Sequence, residues 1–262
     1  MADQTILSIA SATQVQSAAD LLLSGNILLL KLGRVYGFIF HPQIEGLAAK
    51  LNAIKGRTSS QHLSLICSYR QALKIIDRDR INPDFFGLGR ALAGKALIRI
   101  PLDTRQSLPF LFNQEENSVQ FLSLVDSLPL GLKRQNINNV KGGAFLHDFQ
   151  QLLKKRGCPF ISGTSGNIHG QPTCERLEDA VKLSQIFNDR AIELGFSDIK
   201  AVVVDIPNLG DANQGSYPIV SFANPSEVEV VRLIGNDLAL TRDFLEAMVR
   251  GVKMRTTITY PA

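Results

Sequence analysis

Residues 51–66 read LNAIKGRTSSQHLSLI, and this stretch decides the fold. Ile44, Leu47, Leu51 and Ile54 recur at spacings of three and four, the period of one face of a helix, and Pro42 stands where that helix opens. The period stops at Lys55-Gly56-Arg57, where glycine suits the left-handed residue that ends a helix. His62–Cys67 is then a short, largely apolar run after a polar one, and reads as a buried strand. A helix that hands two cations to the start of a buried strand is an α/β arrangement.

Working outward, Thr13-x-x-Gln16 reads as a capping box opening a helix to about Leu23, with Gly25 placed to end it. Asn26–Leu30 and Val35–Phe40 read as strands parted by Gly33-Arg34. Downstream, Tyr69–Ile76 is helical, Asp77–Arg80 a polar turn, Ala96–Ile100 a strand stopped by Pro101, and Val119–Val125 a strand. Asn113–Asn117 is a surface turn and Lys133–Asn139 a basic loop. Leu146–Lys155 and Glu175–Leu194 are helices. Between them the short strand Pro159–Ser162 feeds a loop, Gly163-Thr164-Ser165-Gly166-Asn167. Ala201–Asp205, Ile219–Phe222 and Val228–Leu233 are strands, Thr241–Val249 a helix, and Arg255–Thr259 a terminal strand or tail. Alternating strands and helices predict an α/β fold, and the final strands without intervening helices make its sheet mixed. No internal repeat or Pro/Gly-rich linker splits the chain, so one domain is expected.

The chain has 262 residues, of which 45% are hydrophobic and 20% charged, with Lys+Arg 28 against Asp+Glu 24. That composition excludes a disordered chain. A surplus of four cations permits an anionic partner and says little more. Cys67, Cys158 and Cys174 show neither a disulfide framework nor zinc spacing, and the four histidines show no metal pattern. The N-terminus lacks a basic region before an apolar one, and no apolar run reaches the roughly 20 residues that span a bilayer. The expectation is a cytoplasmic protein with no membrane partner.

Gly89-x-x-x-x-Gly94-Lys95 matches the P-loop pattern but stands after a helical stretch and before a strand, the reverse of what phosphate cradling needs. No G-x-S-x-G elbow and no dinucleotide fingerprint is present. Lys55-x-Arg57 on a loop before a buried strand suits phosphate or carboxylate oxygens, although cations also favour any helix C-terminus. Thr164-Ser165-Gly166-Asn167 after a strand suits phosphate or ribose, although these residue types also make ordinary turns.

Taken in order, LLLSGNILLLKLGRVYGFIFHP, LNAIKGRTSSQHLSLI, CPFISGTSGNIHGQPTC and VEVVRLIG resemble the YrdC/YciO-type threonylcarbamoyl-AMP synthase family over about residues 10 to 236. Lys55-Gly56-Arg57 matches the family's K-x-R, and Ser165-Gly166-Asn167 its S-A-N. The resemblance implies a single YrdC-like domain over 1–236, with a twisted mixed sheet, helices packed on it and a concave basic face. Residues 237–262 would form a C-terminal extension of helix and tail. It implies ATP, with Mg2+ carried by the ATP, and an amino-acid or carbamate substrate. The reaction would be formation of a carbamoyl-adenylate and pyrophosphate, on the way to a modified adenosine in tRNA. Lys55 and Arg57 would be catalytic, holding the phosphates and the carbamoyl carboxylate. Thr164, Ser165, Asn167 and Arg232 would contact the nucleotide.

The chain departs from the family at its P-T-E motif, which here is Lys31-Leu32-Gly33, and at S-T-V-V-D, which is Tyr217-Pro218-Ile219-Val220-Ser221. Lys31, Arg34, Lys95 and Lys141 are added cations and would favour a more anionic substrate. Three readings follow: a synthase with an altered acceptor; a silent paralogue binding nucleotide, tRNA or double-stranded RNA through the same groove; and an unrelated α/β protein.

Overall fold

The computed structural model describes residues 6–8, 12–32, 35–58, 63–93, 96–103, 105, 112–113, 118–122, 142–206, 217–232 and 254–256. In chain order the elements are β1 (Ile6–Ser8), α1 (Ala12–Leu23), β2 (Ile27–Leu32), β3 (Val35–Phe40), α2 (Leu47–Ile54) and β4 (Ser64–Ile66). Then come α3 (Tyr69–Ile75), a π-helical turn (Phe85–Gly89), α4 (Arg90–Leu92), β5 (Leu97–Pro101), β6 (Phe112–Asn113) and β7 (Ser118–Leu122). The last are α5 (Gly142–Lys155), β8 (Ile161–Ser165), α6 (Leu177–Glu193), β9 (Ala201–Asp205), β10 (Ile219–Ser221), β11 (Val228–Arg232) and β12 (Met254–Thr256). The expected class, α/β with a mixed sheet, is what forms.

The chain gathers into two compact units, Met1–Leu63 with Leu128–Gln214, and Ser64–Ser127 with Gly215–Ala262. In the first, the strand order is β1-β9-β2-β3-β8. β9 is parallel to β1 and β2, and β3 is antiparallel to β2 and β8. β2 and β3 are buried from Ile27 to Leu30 and from Val35 to Phe40, which explains their nearly continuous apolar runs. Phe187 of α6 packs on Phe38 of β3, with ring centroids 5.0 Å apart. α1 buries Val15, Ala18, Ala19 and Leu22, one face at helical spacing.

In the second unit the order is β4-β7-β5-β10-β11-β12, with β6 paired to β7. β5 is antiparallel to β7 and parallel to β10, so this sheet is mixed as well. Asn82, 2% exposed, ties two segments together: its amide donates to Asn224 O and Pro225 O, and its oxygen accepts from Asp84 N. The π-helical turn and α4 precede β5, so Gly89 works by packing: a Cβ there would meet the Phe85 ring at 2.6 Å.

Several boundaries differ from expectation. α1 already includes Thr13, and the capping box forms instead at Ser68 and Gln71, which head α3. α2 begins only at Leu47, after Gly46 at φ 72°. α5 starts at Gly142, and β8 runs on to Ser165 because it keeps pairing with β3. Residues 254–256 pair in parallel with β11. The boundary at 236, the helix at 241–249, the turn at 114–117 and the loop at 133–139 lie outside the described residues.

Candidate functional site: a buried cationic cluster

The site starts at the end of α2. Gly56 adopts φ +73°, its N–H donates to Ala53 O (2.9 Å), and Arg57 N–H donates to Asn52 O (2.8 Å). These are the two bonds of a Schellman cap. The same pair recurs after α1, where Gly25 and Asn26 donate to Leu22 O and Leu21 O. The cap reverses the chain tightly enough to turn both Lys55 and Arg57 toward β8.

Lys55 is fully buried. Its ammonium donates to Ser165 O and, at 3.3 Å, to Asn167 Oδ1, and it lies 4.8 Å from the centre of the Phe38 ring. The Arg57 guanidinium donates to Thr164 Oγ1 (2.6 Å) and Ser165 Oγ (3.1 Å). Ser165 Oγ in turn donates to Asn167 Oδ1 (2.7 Å), and Asn167 Nδ2 to Gln171 O (2.6 Å). The register sets this up: Thr164 is opposite Phe38, so the pleat puts both on one face of the sheet.

Gly166 allows the loop to close. Its N–H donates to Tyr36 O (2.8 Å) and its carbonyl accepts from Cys174 N (2.9 Å), while Tyr36 N–H donates to Cys174 O (2.8 Å). A Cβ at Gly166 would lie 2.5 Å from Tyr36 O. His169 N–H donates to Lys55 O (2.9 Å), tying the end of this loop back to the α2 cap.

The charges do not balance within the cluster. Among the described residues no carboxylate pairs with Lys55 or Arg57; their partners are hydroxyls, amide oxygens and a ring face. Arg57 Nε is buried with no hydrogen-bond partner. Burial first, and the Arg57 charge second, pull Lys55 well below the usual lysine range, and burial lowers Arg57. Cys174 is pushed up to about 11 by burial and by Asp179, against the pull of Lys55. Such a cluster attracts an anion because the ligand supplies the missing negative charge.

A double variant of P. abyssi Sua5 superposes with a TM-score of 0.66 at 13% identity, covering 95% of this chain and 65% of that one. P. abyssi Sua5 complexed with L-threonine gives 0.62 at 12% identity, covering 95% and 62%. E. coli YciO gives 0.56 at 11% identity, covering 88% and 95%. The chain has a Sua5/YciO-like fold. It spans less than two thirds of the length of the two Sua5 chains. Neither a family profile nor any curated protein sequence matches it.

On this Sua5-like fold, Lys55, Arg57, Thr164, Ser165 and Asn167 meet within hydrogen-bonding distance. Lys31 lies on β2 opposite Tyr36 and is 9% exposed. Arg232 belongs to the other unit, where its guanidinium donates to Tyr217 O (2.8 Å) and burial lowers it. Arg34, Lys95 and Lys141 lie outside the described residues. The loop expected at 163–167 is shorter than predicted, since Gly163, Thr164 and Ser165 are strand residues. Sequence reasoning missed Tyr36, Phe38 and Cys174. The first two sit in the run VYGFIF and read as core; only their alternation, which puts both on the Thr164 face, marks them.

Among the described residues no helix is long and apolar enough to cross a membrane, and no group of three or more His, Cys, Asp or Glu is placed to hold a metal ion.

Proposed function

We propose that the chain forms a carbamoyl-adenylate from ATP, a carbon dioxide source and an amine, with pyrophosphate released. The observation that carries this reading is the pair of neighbouring basic side chains, fully buried Lys55 and half-buried Arg57, with no carboxylate partner among the described residues. The Sua5-like fold and the L-threonine held by Sua5 support an amino acid as the amine.

The chemistry needs no protein nucleophile. The free amine adds to carbon dioxide, losing a proton, to give a carbamate. A carbamate oxygen attacks the α-phosphorus as the bond to pyrophosphate breaks. Negative charge grows on the α-phosphate oxygens, where fixed donors stabilise it best. Arg57 holds one anionic group through its fork and Lys55 another as a point charge. Thr164, Ser165 and Asn167 keep both cations oriented before the ligand arrives. Mg2+ would come with ATP, coordinated by its phosphates and neutralising them, since the described residues offer no cluster for it.

The test is pyrophosphate release from ATP and bicarbonate across a panel of L-amino acids. Release with at least one acceptor, lost in Lys55→Met and in Arg57→Ala, is the expected result. No release with any acceptor refutes the catalytic reading; ATP or RNA binding that survives alone would make the chain a silent binder.

A further inference from the structure

The Lys55 ammonium rests on an aromatic ring, and the residue that supplies the ring has no part in the chemistry proposed above. Phe38, Lys55 and Phe187 are each fully buried. The ammonium lies 4.8 Å from the centre of the Phe38 ring. That is inside the roughly 6 Å over which a ring face attracts a cation, and burial puts the pair at the strong end of that attraction. The ring is held from three sides. Leu29 of β2 and Thr164 of β8 stand opposite Phe38, and Phe187 of α6 packs against it with ring centroids 5.0 Å apart. The cross-strand pair Phe38–Thr164 therefore takes one cation each: the ring takes Lys55, and the Thr164 hydroxyl takes Arg57 at 2.6 Å. Strand register sets how the two cations stand relative to each other.

A buried ammonium needs groups that favour its charge. Burial most of all, and then the Arg57 guanidinium, oppose that charge, while the Cys174 thiol, with Asp179 acting on it, works the other way. Ser165 O and Asn167 Oδ1 accept hydrogen bonds from Lys55, but both are neutral. The other titratable groups around the cluster are Tyr36, two residues from Phe38 and on the same face of β3, and Arg190 of α6, whose Nη2 would lie 3.3 Å from a Cβ at Gly56. A carboxylate in the place of the ring would favour the ammonium more strongly, and it would also cancel the charge that an anionic ligand needs. A ring face attracts the ammonium through its quadrupole and carries no net charge. It holds Lys55 without neutralising it.

Resting on the carbamoyl-adenylate reading, in which Lys55 meets an anionic group of ATP, we infer that Phe38 is a positioning residue: its ring face, steadied by Phe187, keeps the Lys55 ammonium charged and in place beside Ser165 and Asn167.

The test uses two replacements in the full chain, Phe38→Leu and a ring-trifluorinated phenylalanine at position 38. The second keeps the ring and drains its face of negative charge. Carbon NMR of protein labelled at lysine Cε follows the titration of Lys55 without ligand, its signal identified by its loss in Lys55→Met. Calorimetry gives ATP affinity at a series of pH values. The expected result is a Lys55 titration midpoint about one pH unit lower with either replacement. ATP then binds up to about tenfold more weakly at pH values between the two midpoints, and equally well below both. A trifluorinated protein whose Lys55 titrates as in wild type overturns the inference, because the ring then only fills space. An ATP affinity lowered by the same factor at every pH overturns it too, since that is the mark of lost packing. The trifluorinated protein decides the matter if Phe38→Leu does not fold. A lowered Lys55 midpoint in a chain that binds no ATP even as wild type supports the ring's hold on the ammonium and refutes the nucleotide reading alone.

Discussion

Replacing Gly166 by alanine adds one methyl group at the tightest point of the site. The new Cβ would sit 2.5 Å from Tyr36 O, 2.9 Å from Tyr36 C and 3.2 Å from Leu29 Cδ1. Two of these three atoms are backbone in a buried strand, so they do not swing away as a side chain would. Ordinary contact begins near 3.4 Å, so strand and loop must part by about 0.9 Å. That displacement stretches the 2.8 Å bond from Gly166 N to Tyr36 O beyond hydrogen-bonding range. An unmade buried backbone bond costs about 1–3 kcal/mol, and overpacking a similar amount. Allowing for partial relaxation, the expected loss is about 2–4 kcal/mol, which lowers the melting temperature by about 5–12 °C in a chain of this size. Ser165 and Asn167 flank the shifted residue, so ATP binding should weaken as well. The family that this chain resembles carries alanine here, which makes the experiment sharper. Thermal unfolding followed by circular dichroism and titration with ATP read both effects. Gly166→Ala protein that melts within about 1 °C of wild type and binds ATP equally would refute the close-approach argument.

Further outcomes follow from the same cluster. Lys55→Met keeps the bulk and removes the charge. Because the folded-state pKa of Lys55 is depressed, the unfolded chain binds the extra proton, and wild-type stability rises with pH between that depressed value and 10.5. Lys55→Met should therefore gain most over wild type at and below that depressed value and lose the advantage as pH approaches 10.5. Chemical denaturation at a series of pH values checks it, and a constant difference sinks it. Gly56→Ala forces a side chain into φ +73°, with its Cβ 3.3 Å from Arg190 Nη2. It should cost about 1–2 kcal/mol and lower the melting temperature by a few degrees, and Gly56→Asn should cost less, since asparagine tolerates that region.

The legible part of the site was the part set by local chemistry. Gly56 announced the end of α2, and Gly25 the end of α1, because only a left-handed residue makes those caps. Lys55 and Arg57 could be paired with Ser165 and Asn167 only through the resemblance to a family's K-x-R and S-A-N motifs and not from any local signal. The extension of β8 to Ser165 was hidden because Gly163 and Ser165 are turn formers by propensity; pairing with β3 overrides that preference. Phe38 was invisible for a different reason. In a strand buried on both faces, a ring that lies under an ammonium and one that only fills the core have the same sequence pattern.

Lys55 and Ser165 are 110 residues apart, and the chain between them includes the whole of Ser64–Ser127, which belongs to the other unit. During synthesis at about 5–20 residues per second, α2 emerges roughly 5–20 s before its acceptors exist. Until then the ammonium must stay in water, for the pocket that buries it is missing its β8 wall. The Lys55–Ser165 contact is thus a late, long-range closure, and a nascent or truncated chain ending before Gly166 has no cluster at all. Protection of the Lys55 region from exchange or proteolysis would then serve as a timer for completion of the discontinuous unit.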